Sequence, residues 1–87
     1  MPVIPPEAIV IYPNPASEML TVDLSDVRIN TGLDITLVNA TGNSFVNKKD
    51  YRDRTMQIDV SELSEGVYFL RFTNGSSVVV KKVMVRR

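Results

Sequence analysis

The 87-residue chain has no cysteine, no histidine and no tryptophan. Without cysteine, no disulfide braces so small a domain, and no thiolate is available as metal ligand or nucleophile. Without histidine, the commonest general base is missing, and with it the Ser-His and Cys-His pairs and the usual zinc ligands. Proline is confined to Pro2, Pro5, Pro6, Pro13 and Pro15, so everything after residue 15 is free to pair as sheet. No apolar run approaches the ~20 residues that span a bilayer, which argues against stable membrane insertion. Met1-Pro2-Val3-Ile4-Pro5-Pro6 lacks the basic and apolar regions of a signal peptide. Ten basic and ten acidic residues cancel, so the overall charge lacks the footprint of a nucleic-acid binder.

What remains is 44% hydrophobic and 23% charged, the balance of one folded domain. A chain of this length buries roughly 60–65% of its unfolded surface. Its stability is expected to be about 5–10 kcal/mol. Residues 1–7 read as a stiff proline-rich linker from a longer parent protein, with Met1 an initiator added to an excised fragment. Residues 8–87 then form the domain.

Most of the domain alternates with period two, the signature of half-buried strands. Ala8-Ile9-Val10-Ile11-Tyr12 is a short apolar run stopped by Pro13. Leu20, Val22 and Leu24 face one way, Thr21 and Asp23 the other. Ile35 and Leu37 share a face within residues 34–40, and Thr41-Gly42-Asn43 turns into Ser44-Phe45-Val46. Met56, Ile58 and Val60 alternate with Gln57 and Asp59; Tyr68, Leu70 and Phe72 alternate with Phe69 and Arg71. Asn74-Gly75 suits a type I′ hairpin turn, in which both central residues take positive φ. Val78–Val85 is the seventh strand. Ser61–Glu65 is expected to form one helical turn capped by Ser61 and stopped by Gly66. The fold class is therefore all-β, a seven-stranded antiparallel immunoglobulin-like sandwich. Its expected core is Leu20, Val22, Leu24, Ile35, Leu37, Ile58, Val60, Leu63, Tyr68, Leu70 and Phe72.

Several constellations need a physical reading. Leu63-x-x-Gly66-x-Tyr68 precedes the sixth strand, where sandwich folds place a tyrosine whose hydroxyl reaches back to an upstream backbone group. Tyr12-Pro13-Asn14-Pro15 reads as a rigid corner between strands one and two. Residues 47–54 form a mixed-sign run, taken as a solvated hairpin loop between strands four and five. Asp23, Asp26 and Asp34 offer hard oxygens for calcium, but their spacing matches no EF-hand loop. Lys81-Lys82 interrupts an apolar strand and places one lysine on each face. The pair either guards an edge against aggregation or marks a displayed strand that another protein reads by strand addition. No carboxylate pair, phosphate loop or nucleophile–base pair organises an active site, so no enzyme, cofactor or metal centre is expected.

Read in order, Tyr12-Pro13-Asn14-Pro15-Ala16-Ser17, the Asn39–Asn43 turn, Ile58-Asp59-Val60-Ser61-x-Leu63-x-x-Gly66-Val67-Tyr68 and Lys81-Lys82-Val83-Met84-Val85 resemble the type A C-terminal sorting domain of the type IX (Por) secretion system of Gram-negative bacteria. The resemblance covers about residues 9–87. It implies an immunoglobulin-like domain at the C-terminus of a secreted parent protein. That parent would reach the periplasm by an N-terminal signal, then cross the outer membrane through the type IX translocon. A surface sortase would remove the domain and join the parent to a lipopolysaccharide anchor. The residues carried over for recognition are Tyr12, Pro13, Asn14, Pro15, Gly66, Tyr68, Lys81, Lys82, Val83 and Val85. Relatives often have Gly-Lys or Gly-Arg in the mid-chain turn, whereas here Asn43 follows Gly42. The alternative is a fibronectin-like or carbohydrate-binding accessory module of a secreted enzyme, which would show a row of exposed aromatics on one sheet face.

Overall fold

A computed structural model of the chain describes residues 5–27, 32–75 and 77–86. Seven strands follow in order: β1 (Val10–Tyr12), β2 (Met19–Asp23), β3 (Leu33–Asn39), β4 (Ser44–Tyr51), β5 (Thr55–Asp59), β6 (Gly66–Thr73) and β7 (Val78–Val85). They form two antiparallel sheets, β1-β2-β5 and β4-β3-β6-β7, enclosing one core. The expected all-β sandwich is therefore observed.

Alternation places the side chains. Leu20 and Val22 of β2, with Leu24 just beyond it, are fully enclosed with Ile35, Leu37, Leu70 and Phe72 of the other sheet. Each such aliphatic or aromatic side chain contributes about 1.5–3 kcal/mol by leaving water. Every expected core residue is buried except Leu63, which packs half-buried against the cluster. Ile9, Ala16, Val27, Leu33, Met56, Val79, Val83 and Val85 join them.

Four local expectations need correction. Residues 47–51 are not a loop: they belong to the eight-residue strand β4, paired with β3. β4 is an edge strand, so its charged side chains stay wet while its backbone pairs. The short connection from β4 to β5 crosses between sheets, and the Tyr51 hydroxyl donates to the Thr55 carbonyl at 2.5 Å across it. The Ser61–Glu65 segment is a turn, not a helix. The carboxylate of Asp59 accepts from both the amide and the hydroxyl of Ser61, so Ser61 donates where a helix cap would accept. The β6–β7 hairpin exists, but Thr73 pairs with Val78, which leaves four residues in the turn where a type I′ turn has two. Positive φ falls on Gly75, at 91°, while the Asn74 side chain accepts from the Ser77 amide at 2.9 Å. Finally, the first apolar run is strand only from Val10, because Pro6–Ala8 form a 3-10 turn.

Candidate functional site

The β1–β2 corner and the last strand, far apart in sequence, form one structure. β7 pairs with β6 on one side and is the outer strand of its sheet on the other. In an antiparallel ladder the two backbone groups of a residue point to the same side, and the side alternates along the strand. The Met84 amide donates to Oδ1 of Asn14 at 3.0 Å, and the Met84 carbonyl accepts from the Ala16 amide at 2.9 Å. The outer edge of β7 is thus carried by its even-numbered residues. Nδ2 of Asn14 reaches the Lys82 carbonyl at 3.5 Å, and the Arg86 amide donates to the Ala16 carbonyl at 2.9 Å. Asn14 and Ala16 act as a short substitute strand along residues 82–86, with Ala16 and Val85 in a parallel bridge.

Local sequence explains why this segment can dock. Pro13 and Pro15, each after a cis peptide bond, bracket Asn14 and turn the chain out of β1. An asparagine carboxamide carries a donor and an acceptor, so it can mimic a backbone unit. Ala16 is buried, and its small side chain permits the close approach. Asn14→Ala should remove both side-chain bonds to β7. We expect a loss of about 0.5–1.5 kcal/mol in urea unfolding, with faster hydrogen exchange at the Met84 amide.

The other carried-over residues lie against the same stretch. Gly66 pairs with Val85 and Tyr68 with Val83 at the start of β6. Gly66 has φ of 155°, a conformation that side-chain-bearing residues rarely adopt. The Tyr68 hydroxyl donates to the Ser64 carbonyl at 2.6 Å, closing the β5–β6 crossover as the sandwich pattern predicts. Its ring meets that of Phe45 edge-on at 5.7 Å. Tyr12 is half exposed at the end of β1, next to the corner.

Val83 and Val85 point into the core and are buried as whole residues, with their backbone groups turned to β6. Lys81 shares their inward row but is only half-buried. Lys82 is exposed on the outer face. The two lysines therefore do take opposite faces.

Two features were missed in the sequence reading. Ala16 and Met84 make the central contact between corner and strand; both lie inside the quoted motifs, but neither was carried over for recognition. The second feature was legible: residues 66–87 hold Arg71, Lys81, Lys82, Arg86 and Arg87 with no acid, while residues 1–65 hold the other five basic residues and all ten acids. Net neutrality conceals this separation.

Two of the three acids offered for calcium, Asp23 and Asp34, are engaged with different partners. Asp23 accepts from the amide and hydroxyl of Ser25, and Asp34 accepts from the Asp50 amide and lies 3.9 Å from the Lys49 ammonium. The Ser25 hydroxyl, then its amide, hold the Asp23 carboxyl below its ordinary value. Burial, then the charge of Asp53, raise the Tyr51 phenol.

A family model described as the secretion system C-terminal sorting domain matches residues 10–86, from the first residue of β1 to the residue after β7. A search of curated proteins finds no match. With all seven strands and the clipped corner inside the matched region, the chain belongs to the secretion system C-terminal sorting domain family, the sorting signals of type IX secretion.

Proposed function

We propose that this domain delivers the protein carrying it to the type IX translocon of the outer membrane and is then cut off by a surface sortase. As a type IX sorting signal it directs export to the cell surface or the medium. The finer reading takes the corner-clipped β7 as the address, with the route passing through the periplasm. The carrying observation is the bonding of Asn14 and Ala16 to Lys82, Met84 and Arg86. It joins the opening and closing motifs into one surface that exists only in the folded domain. Tyr12, Pro13, Asn14, Pro15, Lys82 and Arg86 are exposed on it. Gly66 and Tyr68 support it from β6.

An accessory sugar-binding role is less favoured. Tyr12 and Phe45 are the exposed aromatics, at 50% and 45%, and they lie on different sheets. They form no row on which a glycan would stack. The family is also one of sorting signals and not a class of enzymes.

The test of removal uses a periplasmic reporter fused ahead of residues 1–87. In a host with the complete system, the surface reporter should lack the domain and gain the mass of a lipopolysaccharide anchor. In a host without the sortase, it should retain residues 1–87. A reporter that keeps the domain in both hosts would contradict sortase removal.

A further inference from the structure

The clip covers only the lower part of the outer edge of β7. By the same alternation, Val78 and Val80 direct their amides and carbonyls outward, and so does the amide of Lys82. Among the described residues these groups meet no neighbouring strand, since β7 ends the sheet order. Val78 and Val80 are 54% and 55% exposed. β4, the opposite edge of the same sheet, is covered with charges of both signs, which discourage pairing. The edge at Val78–Lys82 has no such cover.

Its charge has one sign. Arg71 pairs with Val80 and shares the exposed outer face with Lys82, while Lys81 flanks the same edge from the inner row. Among the described residues no carboxylate is ion-paired with Arg71, Lys81 or Lys82. A second copy of this chain fits poorly, because antiparallel pairing of two β7 edges would bring like charges together.

We infer that the open edge Val78–Lys82 accepts an extended acidic segment of a partner protein by strand addition. The inference rests on the sorting-signal reading and names the partner chemistry of that same surface. The incoming backbone would pair with Val78, Val80 and the Lys82 amide. Apolar side chains would lie over the two valines, and carboxylates would lie opposite Lys82 and Lys81.

The probe is a short capped peptide alternating valine and threonine and ending in two glutamates. Residues 1–87 should bind it, and raising salt from about 0.05 to about 0.5 M should weaken binding several-fold. Lys82→Glu should weaken it about tenfold or more. Val80→Pro should abolish binding yet leave the β6–β7 ladder intact, because the amide it removes faces outward. N-methylating alternate amides of the peptide should also abolish binding, whereas replacing its glutamates by lysines should reduce it at least about tenfold.

Equal binding of the N-methylated peptide would reduce the contact to charge attraction and overturn strand addition. No binding by wild type, or self-association of the chain in place of binding, would overturn the inference too. Export of the reporter is scored separately. If residues 1–87 route it but bind no acidic peptide, the inference falls and the sorting reading stands. If they do not route it, the sorting reading falls whatever the peptide does.

Discussion

Tyr68→Ala should destabilise the domain by about 3–5 kcal/mol, the range for emptying a buried aromatic site. Tyr68 is 5% exposed and sits in the wall of the core beside Val83. Truncation removes the ring, its contact with Phe45 and the bond to the Ser64 carbonyl. Each kcal/mol corresponds to about 4–8 °C in a domain of this size, so the thermal midpoint should fall by more than about 12 °C. Tyr68→Phe separates the two contributions. It keeps the ring and loses the hydroxyl bond, which should cost about 1–1.5 kcal/mol. An alanine variant as stable as wild type would show that the corner does not hold the β5–β6 crossover. Because Tyr68 pairs with Val83, the variant should also loosen β7, and export should fall with stability.

Changing the lysine pair should lower export with little change in stability, and this is the largest functional effect expected from surface residues. Lys82 is exposed, and substitutions at such positions usually alter stability by no more than about 0.5 kcal/mol. Lys81 is different, since it is half-buried in the inward-facing row, where a long apolar stem is best kept. The clean pair of changes is therefore Lys82→Ser with Lys81→Met, which keeps the stem and removes the charge. If the lysines are read directly, export of a fused reporter falls by about tenfold or more while the thermal midpoint holds. If they only guard the edge, export persists and the isolated domain associates, because an uncharged outer strand invites edge-to-edge pairing. Quantitative export by a folded, monomeric double variant would remove both lysines from the recognised surface. It would leave the β7 backbone and the Tyr12–Pro15 corner.

Much of this architecture was legible because alternation is a local property. Leu20, Val22 and Leu24 announce their inward face within five residues, and so do Met56, Ile58 and Val60. The tyrosine corner was legible because Leu63, Gly66 and Tyr68 lie within one short segment. β4 was not. An edge strand with wet faces shows no alternation, so Asn47-Lys48-Lys49-Asp50 reads as loop although its backbone is paired. At Asp59 and Asn74, side chains that bond the backbone won over the helix and hairpin-turn geometries that composition suggested. The candidate site was legible in parts but not as a whole. Asn14 and Met84 are 70 residues apart, and nothing near either residue signals the bond between them. The resemblance supplied both ends, and the fold shows that they touch.

The central claim is that these residues are sufficient as a type IX sorting signal. It is tested most directly by the fraction of a periplasmic reporter found outside the cell when fused ahead of residues 1–87. Two otherwise identical hosts, one with the translocon and one without it, provide the comparison. The account predicts reporter at the surface or in the medium of the first host and in the periplasm of the second. Equal release from both hosts, or periplasmic retention in both with the domain folded, would contradict it.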